Sequence, residues 1–300
     1  MNNTKNDSKK HRIDKFAKQL KRIKDKKAIE DDSLAFIHKF LVTGAFPHSN
    51  PKSNFYSVKN GHHVIWVQGG QRMGKEIGVP YGTLPRLLSA WVCTECVKTG
   101  SAKIKLGKSL THFLNELDLN RNGGKRGDIT RLKKQLERFV KCRIGWERYK
   151  EDEEKIARPG EDFRIAKKYE FWDFKNPDQT EIFGAYIELD TDFFEGLKKR
   201  PIPLDMRALK ALKSSALALD LYMWLTYRVS YLNKPTSLSW DQVMNQVGAE
   251  YKHKHRFAQK AKKHLKVIKR LWKDLNYKTP RGRLYLDPSS KPHIPKKYRV

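Results

Sequence analysis

A long amphipathic stretch, Tyr251 to Leu275, limits most strongly what this sequence can fold into. At helical spacing its apolar residues form one stripe, which predicts a helix packed on a protein core: Phe257, Ala261, Leu265, Ile268, Trp272 and Leu275. The opposite side carries Lys252, His255, Arg256, Gln259, Lys260, Lys263, Lys266, Arg270 and Lys273. Asp274 is the only acidic residue of the stretch. Solvated helix faces normally mix charges of both signs. A face of one sign therefore predicts contact with a polyanion.

The composition of the whole chain also indicates a polyanionic partner. Lys and Arg number 63 against 33 Asp and Glu, which gives a formal charge of +30. Self-repulsion makes this imbalance unfavourable for compaction, so the simplest reason to carry it is binding to nucleic acid. The sequence contains no apolar run of about 18 residues, the length needed to span a membrane. The charged N-terminus also lacks an apolar signal core. Three cysteines cannot all pair, which fits a reducing cytoplasm. We therefore expect a cytoplasmic protein, and the missing apolar run argues against a membrane partner.

The first residues predict an arm followed by a hairpin. Residues 1–32 carry Lys or Arg every two or three positions, with a weak helical stripe at Ile13, Phe16, Leu20 and Ile23. We interpret this segment as a mobile basic tether that raises nonspecific DNA affinity. The segments Phe55–Val58 and Val64–Val67, separated by Asn60-Gly61, predict a β-hairpin.

The middle of the chain predicts three helices and a set of strands. The helices are Thr83–Lys98, Leu110–Leu117 capped by Ser109, and Ile129–Val140 capped by Asp128, and a strand at Lys103–Leu106 lies between the first two. In the third helix Ile129, Leu132, Leu136 and Phe139 face inward, and Arg131, Lys134 and Arg138 share the outer face. Alternating aromatic segments follow at Cys142–Tyr149, Tyr169–Phe174 and Ile182–Leu189, with the charged stretch Glu151–Lys168 as a long hairpin loop.

The rest of the chain repeats this plan. Its predicted elements are helices at Asp205–Leu212, Ser215–Tyr231 and Trp240–Val247, the basic helix, and a hairpin at Tyr277–Leu286. Ser239 and Gln242 form a capping box for the Trp240 helix. The order helix, turn, helix, strand pair occurs twice. We therefore predict an α+β protein of two tandem winged helix-turn-helix domains behind a basic, mobile N-terminal arm. The boundaries are 1–45 for the arm, 46–198 for the first domain and 199–300 for the second, joined near residues 197–203.

Candidate DNA-binding residues follow from helix geometry. The second helix of a helix-turn-helix enters the major groove, and its N-terminal residues reach base edges. Arg pairs well with guanine and Gln with adenine. The base-contact candidates are Lys252, Arg256, Gln259 and Lys263 in the second domain, and Thr130, Arg131, Lys134 and Arg138 in the first. We expect Lys266, Arg270, Arg281 and Arg283 to meet phosphates, and the candidate surface also includes Lys125, Arg126 and Lys260.

Several motifs, taken in order, resemble a known family. They are Val79–Leu88 with Trp91 and Thr94-Glu95, Leu106–Leu110, Asn122–Lys125, Thr130–Leu132, Pro201–Leu212, Leu217–Arg228 and Ser239-Trp240. From about Phe46 to about Lys296 the chain is similar to the plasmid-encoded RepA replication initiators; the basic arm lies outside the resemblance.

The resemblance implies a bacterial plasmid replication initiator. Such a protein binds repeats in double-stranded origin DNA, opens an adjacent AT-rich region, and helps to recruit the host initiator and helicase. Many related initiators also form homodimers and repress their own promoter. The family is not known for catalysis, so we expect no enzymatic activity, cofactor or metal.

Three local motifs suggest other chemistry. Gly107-Lys108-Ser109 has the setting of a phosphate-binding loop, but Ala102 stands where the pattern requires glycine, so we interpret Ser109 as a helix cap. Cys93 and Cys96 lack a second ligand pair for zinc, which favours core packing. Asp190-Thr-Asp192 could be half of an acidic metal cluster, but a strand end near the domain junction is the simpler interpretation.

Two other function classes remain as alternatives. A rolling-circle nicking endonuclease would need a His-x-His metal pair on a strand and a distant tyrosine. The only His-x-His of the sequence, His253-Lys254-His255, instead lies in a predicted helix and has a cation at its centre that would repel a metal. The nearby tyrosine, Tyr251, lies just before the pair and not on a distant helix. An RNA-binding module would need aromatic side chains on an exposed sheet, whereas the aromatics here follow core periodicity.

Overall fold

The structure, a computed structural model, describes residues 2–42, 46–60, 63–125, 127–148, 160–172, 178 and 184–295. None of the helices in these ranges is both long and apolar enough to cross a membrane.

Helices and strands are interspersed along the described chain. The elements up to the third long helix are α1 (Asn2–Asp25), β1 (Leu34–Ile37), α2 (Lys39–Val42), β2 (Phe55–Asn60), β3 (His63–Gln68), β4 (Gln71–Arg72), β5 (Lys75–Glu76), α3 (Thr83–Thr99), β6 (Lys103–Lys105), α4 (Leu110–Glu116) and α5 (Asp128–Lys141). The next are β7 (Arg143–Arg148), β8 (Gly160–Arg164), β9 (Ala166–Glu170), β10 (Tyr186–Leu189), α6 (Thr191–Lys199) and β11 (Ile202–Asp205). The last are α7 (Met206–Leu212), α8 (Ala216–Val229), β12 (Thr236–Ser239), α9 (Trp240–Gln246), α10 (Lys254–Leu271), β13 (Tyr277–Lys278) and β14 (Arg283–Leu286). The predicted α+β class is confirmed.

One arrangement of elements occurs in both halves. In the second half, α8, β12, α9, α10, β13 and β14 follow one another, and their sheet has the order β12-β14-β13. In the first half, α3, β6, α4 and α5 are followed by β9 and β10, and the sheet order is β6-β10-β9. In each sheet the first strand pairs with the third, and every pairing is antiparallel.

The first half carries an inserted sheet. Strands β7 and β8 lie between α5 and β9 in the chain and join the hairpin β2–β3 in a four-stranded antiparallel sheet. The predicted hairpin is confirmed, with Phe55 opposite Gln68 and Val58 opposite Ile65. Its turn, which includes Gly61, lies outside the described residues. The predicted hairpin loop at Glu151–Lys168 is wrong in part, because β8 and the start of β9 fall inside it.

Local capping signals explain several helix starts. The hydroxyls of Ser109 and Ser215 accept backbone N–H bonds at the starts of α4 and α8, and Ser239 with Gln242 forms the predicted capping box of α9. The predicted cap at Asp128 is wrong. Gly127 is the N-cap of α5, and the Asp128 carboxylate instead accepts the Asn120 N–H at 2.9 Å.

The N-terminal segment is a packed helix. Phe16, Leu20 and Ile23 of α1 pack against the core, so the expected mobility of this arm is wrong for these residues. The guanidinium of Arg207, on α7, donates to the carbonyl oxygens of Arg22 and Lys26 at 2.9 Å each. The Arg22 carbonyl also accepts the Lys26 N–H at 3.1 Å, so Arg207 adds a second donor there and binds the Lys26 carbonyl just beyond the helix end. A cation distant in sequence therefore fixes the arm.

Strand β1 extends this attachment. It pairs antiparallel with β11, and Leu34 lies opposite Asp205 and Ile37 opposite Ile202. Residues that we assigned to the arm therefore belong to the folded body, and the expected junction near residues 197–203 contains the end of α6 and the start of β11. The division at 198/199 stays a prediction, since one cluster of buried apolar side chains runs through both halves.

A buried ion pair joins the two halves. The Arg86 guanidinium of α3 meets the Asp220 carboxylate of α8 through two bonds of 2.6 and 2.7 Å, and both side chains are at most 2% exposed. Arg86 also donates to the carbonyls of Gly82 and Phe46, and His48 contacts Asp220 at 2.7 Å. Burial by itself would raise the pKa of the Asp220 carboxyl, but Arg86 and His48 outweigh it and the pKa lies below its ordinary value.

We expect Asp220→Asn to lower the free energy of unfolding by about 3–5 kcal/mol, because it leaves the Arg86 charge buried without a counter-ion. The double variant Arg86→Met/Asp220→Leu should recover most of that loss, because neither charge then remains. Urea unfolding measures both. The matched control is Asp162→Asn, which breaks the exposed Arg143–Asp162 pair and should cost less than about 1 kcal/mol. Equal losses for Asp220→Asn and Asp162→Asn would contradict this role.

A buried histidine predicts a second, pH-dependent effect. His38 is 3% exposed and stacks between Phe40 and Phe193 at 5.2 and 4.8 Å, and burial lowers its pKa to about 4. The unfolded chain, with a His pKa near 6.5, binds the proton more readily. The contribution of His38 to the free energy of unfolding therefore has its full value above about pH 6.5. It falls by about 3 kcal/mol as the pH drops towards 4.

Urea unfolding of His38→Asn across this pH range tests that slope. The asparagine oxygen can accept the Phe40 N–H that His38 Nδ1 accepts at 3.3 Å, so the fold should persist while the His38 part of the slope disappears. Gln259→Asn, at an exposed position, removes no titratable group and should leave the slope unchanged. An unchanged slope in His38→Asn would show that other groups cause it.

Candidate nucleic-acid interface

Helix α10 has one fully buried side. It begins at Lys254 and ends at Leu271, inside the predicted stretch. The whole predicted apolar stripe is buried, and Trp272 and Leu275 contribute to it from just beyond the helix end. The helix packs on α8 and α9, and the Phe257 ring lies 6.3 Å from Trp240 and 5.5 Å from Tyr251. These contacts fix the rotation of α10 about its axis, so its basic side must face solvent.

The N-terminal part of this basic side is available to a ligand. Lys252, Arg256, Gln259, Lys260, Lys263 and Lys266 are all exposed. Within the described part of the chain, the side chains of Arg256, Gln259 and Lys263 form no hydrogen bond or ion pair. Lys260 lies 5.1 Å over the Tyr251 ring, which orients its ammonium group. The first turn of α10 contains no acidic residue, and the positive end of the helix dipole adds to the attraction for anions.

Two of the arginines predicted to contact phosphates also contact other residues of the protein. The Arg270 guanidinium lies 5.1 Å over the Phe16 ring of α1. Arg283 donates to the hydroxyl and carbonyl oxygens of Ser237 at 2.7 and 3.0 Å, across the β12–β14 ladder. Arg281 is exposed at the tip of the hairpin, beside Gly282, whose φ is 76°. These contacts hold Arg270 and Arg283 in one orientation, whereas Arg281 extends beyond the sheet.

The first-half candidates on and before α5 are more divided. Lys125 and Lys134 are exposed, the Thr130 hydroxyl donates to the Gly124 carbonyl at 2.8 Å, and Arg131 pairs with Asp128 at 2.9 Å. Arg126 lies outside the described residues. Helix α5 occupies the same position in its half as α10 does in the other, so the candidates belong to equivalent third helices.

Arg138 does not lie on the outer face with Arg131 and Lys134. Its guanidinium donates to the Val79 carbonyl at 3.2 Å and lies 5.1 Å over the Tyr81 ring. It is thus half-buried against the segment before α3. The expectation of an outward Arg138 is wrong, because helical spacing does not reveal which loop covers that side of the helix.

Sequence reasoning missed contacts at the start of α10. Lys254 forms an ion pair with Asp241 of α9, and Lys262 lies 5.8 Å over the Trp240 ring. His253, the N-cap of α10, stacks on His255 at 5.5 Å. One signal in the sequence could have indicated the Lys254–Asp241 pair: Asp241 is the acidic residue in the first turn of α9 and lies 13 residues before Lys254.

The other local motifs have structural roles. Ser109 caps α4. Gly107 has a φ of 97°, and a Cβ there would come within 2.6 Å of the His112 ring, so backbone conformation and close packing both explain that glycine. Cys93 and Cys96 are buried, as expected, and burial raises the pKa of the Cys96 thiol to about 11. Asp190 caps α6 by accepting the Asp192 N–H.

Three aromatic side chains among the described residues are exposed: Phe55, Tyr169 and Tyr231. Phe55, on the outer face of the inserted sheet, is 52% exposed and stacks on Trp66 at 6.2 Å. Trp66 lies across Gly145, where a Cβ would come within 2.3 Å of the indole. The expectation that the aromatics follow core periodicity therefore does not hold for this face.

The position of Arg138 predicts a stability effect. We expect Arg138→Ala to lower the free energy of unfolding by about 1–2 kcal/mol, since it removes a hydrogen bond and a cation–π contact. Lys134→Ala, one turn earlier and exposed, should change it by less than about 0.5 kcal/mol. Urea unfolding of the two variants decides between a packed and an outward Arg138, and equal small effects would favour the outward one.

Comparisons with known proteins add a family and a fold. The family model described as plasmid encoded RepA protein matches residues 79–242. A crystal structure of selenomethionine derivatives of domains 2 and 3 of RctB is similar with a TM-score of 0.51 and 12% identity, over 83% of this chain and 95% of that chain. A second crystal structure of RctB domains 2–3 has a TM-score of 0.50 and 12% identity, over 81% of this chain and 92% of that chain. At this identity the likeness concerns the fold alone. No match was found among curated proteins.

The matched region contains both helices of the buried Arg86–Asp220 pair and α5, and it ends within α9. It covers more than half of the chain and agrees with the resemblance of the motifs between Val79 and Trp240. This chain therefore belongs to the family of plasmid-encoded RepA proteins.

Proposed function

We propose that this chain is a bacterial plasmid replication initiator that binds double-stranded origin DNA in a sequence-specific manner. One observation carries the proposal. Helix α10 is held by a fully buried apolar side and presents Arg256, Gln259 and Lys263 to solvent without partners among the described residues. These side chains supply donors and acceptors that can pair with base edges in a major groove.

The repeated topology supports two DNA-binding units. Each half has a helix, a strand, two helices and a strand pair, and in each sheet the first strand pairs with the third. This order is typical of a winged helix-turn-helix. The second helix of its helix-turn-helix, which is the third helix of the whole unit, enters the groove, and the hairpin lies beside it. We infer that α10 is the recognition helix of one winged unit and α5 that of the other.

The candidate contacts divide by position. Lys252, Arg256, Gln259 and Lys263 lie in or just before the first three turns of α10 and are assigned to base edges. Lys260, Lys266, Arg281 and the oriented Arg270 and Arg283 are assigned to phosphates. On the first half, Lys125, Thr130, Arg131 and Lys134 keep their assignment. Arg138 is excluded because its guanidinium is bound to the protein.

The remaining parts of the proposal follow from family membership. The initiator opens an adjacent AT-rich region, recruits the host initiator and helicase, and acts in the cytoplasm. It forms a homodimer when it represses its own promoter. It carries out these steps by binding, without catalysis, metal or cofactor.

Binding to plasmid origin DNA, measured by fluorescence anisotropy at several salt concentrations, tests the proposal. With around six phosphate contacts, the affinity should fall about a thousandfold between 50 and 200 mM salt. Arg256→Ala should cost about 1–3 kcal/mol on the cognate site and relax the preference at one base pair. Lys266→Ala should weaken binding on all sequences and reduce the salt slope by about one.

One control variant, one contrary outcome and one further assay complete the test. Arg138→Ala should leave DNA affinity unchanged in the folded protein. Salt-independent binding would contradict the DNA interface. Incubation with supercoiled origin plasmid and Mg²⁺ should leave the plasmid intact, and a relaxed product joined to protein would instead establish the nicking alternative.

A further inference from the structure

A groove at the far end of α10 shares only Arg270 with the residues assigned to DNA. It has a volume of about 560 Å³ and lies between the C-terminal ends of α1 and α10 and the segment 291–295. Its apolar lining comes from all three elements: Ile23, Ala28, Ile29, Leu34, Leu271, Trp272, Pro292, Ile294 and Pro295. A volume of this size is typical of ligand-binding clefts.

The walls of the groove are held rigidly. Arg207 binds carbonyls at the end of α1, and the Trp272 indole donates to the Lys291 carbonyl at 2.9 Å. His293 stacks on Trp272 at 5.3 Å and contacts the Tyr222 hydroxyl at 2.8 Å. The groove is therefore preformed, which reduces the entropy lost on binding.

The rim of the groove is strongly cationic. Five basic side chains surround the apolar floor: Lys24, Lys27, Arg270, Lys273 and Lys291. Asp274 is the one exposed carboxylate among the lining residues, since Asp205 is buried and paired with Arg207. At the edge of the floor, Ile29 is 42% exposed. An apolar floor with a cationic rim complements a segment that has apolar anchors and acidic flanks.

We propose that this groove docks an acidic amphipathic peptide segment of a partner protein. The inference rests on the proposed function for the nature of the partner, a protein recruited to the initiator. The groove lies at the end of α10 opposite to Arg256, so the segment binds while the N-terminal turns remain on DNA.

Other occupants fit less well. Nucleic acid would use the rim but would leave the apolar floor exposed. The last residues of this chain, Lys296-Lys297-Tyr298-Arg299-Val300, carry three positive charges that the rim repels. The densest acidic run of a second copy, Glu151–Glu154, has lysines on both sides, at Lys150 and Lys155, which the cationic rim would repel.

The test uses a fluorescein-labelled peptide of about 15 residues, with leucines at helical spacing and Glu or Gln elsewhere. Anisotropy with the full chain should show saturable binding, and a peptide with serine in place of leucine should bind at least about tenfold more weakly. Equal binding of the two peptides would overturn the proposal, because charge alone would then explain it. So would equally tight binding of a peptide copying residues 149–157 of this chain, which would indicate self-association.

Variants of the full chain locate the site. Ile29→Ser should weaken the leucine peptide about tenfold, and Lys27→Gln/Lys273→Gln about three- to tenfold. Ile13→Ser, at an isoleucine that is 58% exposed outside the groove, is the matched control and should change binding less than twofold. If Ile29→Ser behaves like Ile13→Ser, the proposal is wrong.

Origin-DNA binding by the same variants separates this proposal from the proposed function. Ile29→Ser should retain wild-type DNA affinity, and an equal loss for DNA and peptide would make the groove part of the DNA surface. Because the peptide assay contains no DNA, its result stands even if origin binding fails.

Discussion

The arrangement of the two halves depends on the ion pair between Arg86 and Asp220. It joins the first helix of each repeated unit, α3 and α8, at a depth where an unpaired charge is strongly unfavourable. The desolvation cost is offset because the guanidinium also reaches the Gly82 and Phe46 carbonyls and His48 contacts the carboxylate. Each charge is stable only beside the other, so α3 and α8 have one favourable register, and the elements that follow each helix are positioned from it.

This register places α10. The helix lies on α8 and α9, and complete burial of its apolar stripe leaves a single orientation in which the basic side faces outward. Its two ends then differ. The N-terminal turns are open to solvent, which suits a major groove, whereas α1 and the segment 291–295 surround the C-terminal end and form the cationic groove. One helix thus supports two separate proposed surfaces, one for DNA and one for a protein segment.

Much of the secondary structure was predictable because its signals are local. The caps at Ser109, Ser215 and Ser239 and the apolar stripe of α10 depend on residues within a few positions of one another. Apart from the cap of α5, the errors occurred where distant residues compete. Arg207 attaches α1 from across the chain, and pairing with β7 makes a strand, β8, of charged residues that resemble a loop. Hydrophobic periodicity contains no information about either partner.

The sequence by itself determined that one side of α10 is apolar and the other basic, since this follows from the order of residues within a single helix. It also determined the family, because the motifs are contiguous. Only the tertiary structure decided which cations remain available to a ligand. Arg138 looks as available as Lys134 in the sequence, yet the Val79 carbonyl and the Tyr81 ring hold its guanidinium. Phe16 and Ser237 orient Arg270 and Arg283, which remain exposed. Such contacts join residues far apart in the chain, and packing of the whole fold sets them.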